Sequence, residues 1–135
     1  MDNDNILKQN KLSYITVIVT ALVEIVSTLV FVLAFAVIMY LIEGGYKYSS
    51  IFATVSIAIG SLIASFYLGN KQGQKGILIG LAVGGITFII ITLISLLMDN
   101  GAVGINILFH FIIILLASLI GAILGVNKKA NQKYI

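Results

Sequence analysis

The chain reads as four long apolar runs separated by short polar breaks, at about 12–42, 51–68, 76–98 and 102–126. Within each run apolar residues follow one another continuously instead of alternating. Each run is also too long for a tilted barrel strand of about 10 residues. A spanning helix needs about 20 mostly apolar residues, and inside hydrocarbon a helix satisfies its own backbone groups. The pattern therefore predicts an all-α integral membrane four-helix bundle, one transmembrane domain over residues 1–135. The second run is close to the lower limit for a span. The first exceeds it, so that helix is expected to tilt or to extend past the hydrocarbon on one side.

Composition agrees. Hydrophobic residues make up 60% of the chain and charged residues 10%, against about 25% charged in a soluble domain. The first apolar run is far longer than the core of a signal peptide and reads as a retained helix. Cys is absent, which removes disulfides, thiolate nucleophiles and Cys-ligated metals.

Charge placement gives an orientation. Lys8 and Lys11 precede the first run, Lys71 and Lys75 lie between the second and third, and Lys128, Lys129 and Lys133 follow the fourth. The opposite side holds only Lys47, beside Glu43, and carries Asp99. Seven lysines against one predict, by the positive-inside rule, that both termini and the 69–75 turn are cytoplasmic. Tyr14, Tyr40, Tyr46, Tyr48 and Tyr67 stand where an aromatic belt would place them.

Small residues recur every fourth position, in a glycine-zipper pattern. They are Ser56, Gly60 and Ala64 on the second helix, Gly76, Gly80 and Gly84 on the third, and Ala117, Gly121 and Gly125 on the fourth. That spacing puts each set on one helix face, where backbones can approach closely. The spacing leaves open whether they pack within the chain or between chains. The stretch from Gly60 to Ser65 also resembles that from Ala117 to Ala122, and continuing without a gap Asn70-Lys71 falls on Asn127-Lys128. Duplication would make two parallel helical hairpins related by an axis along the membrane normal.

Two intramembrane polar residues are candidates for function. Glu24 lies inside the first run with no basic residue near it in sequence. A charge at mid-helix costs about 2.5–3.5 kcal/mol on insertion scales, so such a group faces the bundle or water. It can serve as a protonatable site in a proton or cation pathway, bond to hydroxyls of a neighbouring helix, or reach water from about one turn below the cytoplasmic interface. His110, between Phe109 and Phe111, is the sole histidine and reads as a packing or interfacial group. Thr16, Thr20, Ser27, Thr28, Thr87, Thr92 and Ser95 add intramembrane hydroxyls. No ligand cluster for a metal, no cofactor motif and no Ser-His-Asp set is present in the sequence. The 69–76 turn is Gly-rich and basic but lacks the phosphate-loop pattern. It reads as a flexible connection held at an anionic lipid surface. No basic face exists outside the membrane for a nucleic acid.

The stretch Gly60 to Ala64, then Gly69, Lys75-Gly76, Gly80 and Gly84, and the closing Ile120 to Asn127, resembles the small four-span membrane proteins of low-GC Gram-positive bacteria. That family has no assigned function. The resemblance covers helices two to four and implies a bacterial cell membrane location with no activity to transfer. The turn departs from the family's Arg-rich form, since here it carries Gln and Lys. Ala21 to Leu29 resembles instead the first helix of small multidrug-resistance exporters, where a glutamate exchanges protons for cationic drugs. Their later aromatic and Pro-containing motifs are missing, because the chain has neither Trp nor Pro. The expectation is a non-enzymatic bundle in the lipid bilayer, acting as an oligomer or as an accessory subunit of a membrane complex. The alternative is a small proton-linked transporter or channel subunit using Glu24.

Overall fold

The computed structural model describes residues 2–98 and 106–132. Asp99, Lys133 and the start of the fourth apolar run at 102 lie outside the described residues. Four helices fill the rest: α1 (Asp2–Leu41), α2 (Ser49–Gln72), α3 (Gly76–Met98) and α4 (Asn106–Gln132), with a 3-10 turn at Gly45–Tyr48 before α2. All four are long and apolar enough to cross a membrane, and no strand occurs among the described residues.

Three helix ends run past the apolar runs. α1 starts ten residues earlier than expected, and α2 and α4 continue through Asn70-Lys71-Gln72 and Asn127 to Gln132. Leaving hydrocarbon does not break a helix, because polar side chains face water while the backbone ladder continues. The ladder of α2 stops only at Gly73, whose φ of 69° and N–H bond to the Gly69 carbonyl form a left-handed cap. Lys75 then takes a φ of 57°, a left-handed conformation uncommon for a residue with a side chain, and α3 begins. The connection read as flexible is thus a defined turn.

The centre of the bundle is α2 against α4, packed in parallel. Thr54 stands beside His110 near one end, and the Lys129 amine donates to the Lys71 carbonyl at the other (2.5 Å). Their sequence separations, 56 and 58, bracket the offset that aligns Gly60 with Ala117. Positions that the resemblance between Gly60–Ser65 and Ala117–Ala122 aligns therefore lie at matching levels of the α2–α4 seam.

Close contact along this seam needs glycine. A Cβ on Gly125 would sit 2.8 Å from the Asn70 nitrogen, and one on Gly69 would sit 2.5 Å from the Ala122 carbonyl oxygen. Gly121 lies against the Leu62 carbonyl and the Ser65 hydroxyl. Ala64 and Ala122 are fully buried between the helices, joined by Leu68, Ile79 and Val83. On the other flank of α4, Gly80 of α3 meets the Leu119 backbone, where a Cβ would be 2.7 Å from Cα, and Ser118 donates to the Gly80 carbonyl. On α2, Gly60 receives α1 at Thr28 and at the Glu24 carbonyl. The small-residue faces are thus filled by helices of the same chain.

The two hairpins are not equivalent in detail. Ser118 bonds to α3, whereas Ser61, its counterpart on α2, is fully buried with no hydrogen-bond partner among the described residues. α3 packs against both α2 and α4, while the backbone of α1 approaches α2 alone. Gly121→Ala should lower stability in denaturant titration by about 1–3 kcal/mol, the usual cost of overpacking. Gly85→Ala, with nothing within 4 Å of the added carbon, should change it by less than about 0.5 kcal/mol. Equal effects would show that the seam is not as close as described.

Candidate functional site

Glu24 is held at mid-depth. Its carbonyl lies against Gly60, and its carboxyl accepts a hydrogen bond from Thr87 (2.5 Å). Gly60 and Thr87 fall at the middle of α2 and α3, which are 24 and 23 residues long. At 1.5 Å per residue, Glu24 is about 16 Å from either end of these helices, the centre of a hydrocarbon layer about 30 Å thick. α1 is long on both sides of this level: about 33 Å of helix lead from Asp2 to Glu24, with residues 3–11 mostly polar, and about 26 Å lead from Glu24 to Leu41, beyond which the chain meets the turn at Gly45.

The carboxyl spans a gap. α1 and α3 do not pack on each other, and between them runs a groove of about 370 Å³ floored by Leu68 and Gln72 of α2. Val17, Thr20, Ala21 and Glu24 line one wall; Lys75, Leu78, Ala82 and Ile86 belong to the other. The groove is apolar along its length, with Lys75 and Gln72 toward the lysine-bearing end and Glu24 deep inside. Thr20 offers little to a ligand, since its hydroxyl already donates to the Thr16 carbonyl (2.7 Å).

Thr87 is the residue that gives Glu24 its chemistry. Its hydroxyl carries one proton and has two acceptors, the Glu24 carboxyl at 2.5 Å and the Val83 carbonyl at 2.8 Å. An ionised Glu24 accepts the hydrogen bond of the Thr87 hydroxyl. A protonated Glu24 donates to the Thr87 oxygen, and Thr87 turns its own proton to Val83. Each state keeps a hydrogen bond on the carboxyl, so a proton can arrive or leave with rotation of a single hydroxyl. Sequence reasoning had Thr87 only as one of seven intramembrane hydroxyls; nothing in its local sequence marks it out.

His110 is elsewhere. Its ring nitrogens lie 3.4 and 3.5 Å from the Thr54 hydroxyl, which itself donates to the Ser50 carbonyl (2.8 Å). These long contacts, near the start of α2, place the histidine toward the end of the bundle opposite the lysine turn, flanked by the Phe88–Phe111 pair at 4.5 Å. Glu24 and His110 are not brought together. Among the described residues no three His, Cys, Asp or Glu side chains gather to hold a metal. The remaining predicted site residues, Ser56, Gly60, Ala64, Gly76, Gly80, Gly84, Ala117, Gly121 and Gly125, form helix contacts or sit beside them.

Fold and site together define a small α-helical membrane protein with one bonded carboxyl at its centre. The chain belongs to the family described as protein of unknown function (DUF3792), which matches residues 13–125. No curated protein and no solved structure matches it. A double-mutant cycle with Glu24→Leu and Thr87→Val should give a coupling of about 0.6 kcal/mol, the average for hydrogen bonds between membrane helices, and no more than about 1.7 kcal/mol. Additive single effects would mean that the pair is not formed.

Proposed function

We propose that the chain is a small, non-enzymatic, proton-linked transport protein or channel subunit of the bacterial cell membrane, working through Glu24. The observation that carries this reading is a mid-membrane carboxyl bonded to a two-way hydroxyl and lining a groove. A carboxyl at this depth is costly to keep, and for helix packing alone an apolar residue would serve as well. Association as an oligomer or accessory subunit was motivated by the small-residue faces. Those at Gly60, Gly80, Gly121 and Gly125 are occupied within the chain, so they no longer argue for contact between chains. In liposomes carrying a pH-sensitive dye, the purified protein should move protons, alone or against metal or organic cations, and Glu24→Gln should abolish the movement. Absence of every such flux, or flux indifferent to the substitution, overturns the reading.

In the proposed orientation both termini and the α2–α3 turn face the cytoplasm, so the groove leads from that side to Glu24. Support comes from Lys8, Lys11, Lys71, Lys75, Lys128 and Lys129 at one end against Lys47 at the other. The chain has no native Cys, which makes single introduced thiols unambiguous. On intact cells a membrane-impermeant maleimide should label Tyr46→Cys and spare Gln74→Cys. The reverse pattern would invert the topology.

A further inference from the structure

We infer that the α1–α3 groove is a binding site for one anionic membrane lipid, its headgroup at Lys75 and one acyl chain lying along the groove toward Glu24. This rests on the same groove as the transport reading but not on proton movement. Three observations point to this occupant.

The first is length. From Lys75 to Ile86 the wall of α3 runs for about 16 Å, close to half of a hydrocarbon layer about 30 Å thick. That is the depth of one leaflet, the distance an acyl chain covers when its headgroup stays at the surface. The second is volume and lining. About 370 Å³ falls within the range of small-ligand sites, and the walls between the two ends are mostly aliphatic, with Val17, Ala21, Leu78, Ala82 and Ile86 beside one Thr20 whose hydroxyl is turned to its own helix. The third is charge complementarity. The surface end of the groove is lined by Lys75 and Gln72, residue types that offer a cation and a hydrogen-bond donor to a lipid phosphate. Neither Lys71 nor Lys129 is among the lining residues: Lys71 lies over the Tyr67 ring, and the Lys129 amine donates to the Lys71 carbonyl. Lys75 is therefore the lysine that lines the groove. An organic cation would meet that lysine first, which argues against it as the resident occupant.

The lipid also suits the carboxyl. A chain end beside Glu24 keeps water from the groove, while the Thr87 bond keeps one carboxyl oxygen paired. Departure of the chain would open a route from the surface to Glu24.

The test uses the full chain in bilayers containing photoactivatable lipids with a diazirine on the acyl chain, in phosphatidylglycerol and phosphatidylcholine forms. Cross-links are mapped by peptide mass spectrometry. Labels should concentrate on Ala21, Leu78 and Ala82 over outward positions of the same helices such as Leu22 and Ile77. The anionic probe should exceed the zwitterionic one by about fivefold, the weight of one surface lysine. Lys75→Asn keeps a residue that tolerates positive φ and should bring the two probes level. Ala82→Phe fills the groove and should remove its labels from both probes. Even labelling of all lipid-facing positions, no headgroup preference, or a preference unchanged by Lys75→Asn overturns the inference. Labelling needs no proton movement, so the flux assay with Glu24→Gln can fail while the lipid site stands, and the reverse.

Discussion

Lipid gives two apolar helices no hydrophobic reason to associate, because acyl chains are as apolar as leucine. What remains is dispersion between closely packed atoms, and that rises steeply as backbones approach. In this chain the approach is closest between α2 and α4, where glycine on one helix meets carbonyls of the other. α3 completes the same packing through Gly80 and Ser118, and α1 is added through Gly60. The α1 helix is thus held by α2 outside the α2–α4 seam. Because α1 rests on α2 alone, its far flank is left open, and the groove is that opening.

Glu24 occupies the opening under a constraint of its own. Insertion of a carboxyl at the centre of a helix is unfavourable by a few kcal/mol, and one hydrogen bond from Thr87 offsets part of that. The pairing with Thr87 also ties α1 to α3, two helices with no other close approach. Any change in the charge or partner of Glu24 thus bears on the width of the groove, since the bond crosses it. Chemistry and conformation meet at one contact.

Much of this was legible in the residues. Unbroken apolar runs specify spanning helices because lipid permits no other use for them, and the fourth-residue spacing of glycine marks a packing face whatever it packs against. The similarity of Gly60 to Ser65 and Ala117 to Ala122 anticipates the parallel seam. Partners were not legible, because the same glycine face serves contact within a chain or between chains. Helix ends are not legible in hydropathy for a physical reason: hydropathy reports where lipid ends, whereas a backbone ladder continues until a cap such as Gly73 stops it. Thr87 was hidden among equivalent hydroxyls, since a threonine in a helix bonds to its own carbonyl four residues back in any surroundings, as Thr20, Thr54 and Thr87 all do.

The depth of Glu24 turned on one ambiguity, the end at which the overlong first helix has its surplus. Run length is symmetric and says nothing about direction. Polar residues at 3–5 and 8–11 can leave the lipid as helix, and the other end packs Gly45 against the Met39 backbone, where a Cβ would be 2.5 Å from its carbonyl oxygen. Seventeen residues, about 26 Å of helix, still separate Glu24 from Leu41, so its level comes from its neighbours, Gly60 at the middle of α2 and Thr87 at the middle of α3. A carboxyl one turn below the surface would find water and need no Thr87. At the centre it needs one, and the chain supplies it from the helix across the groove.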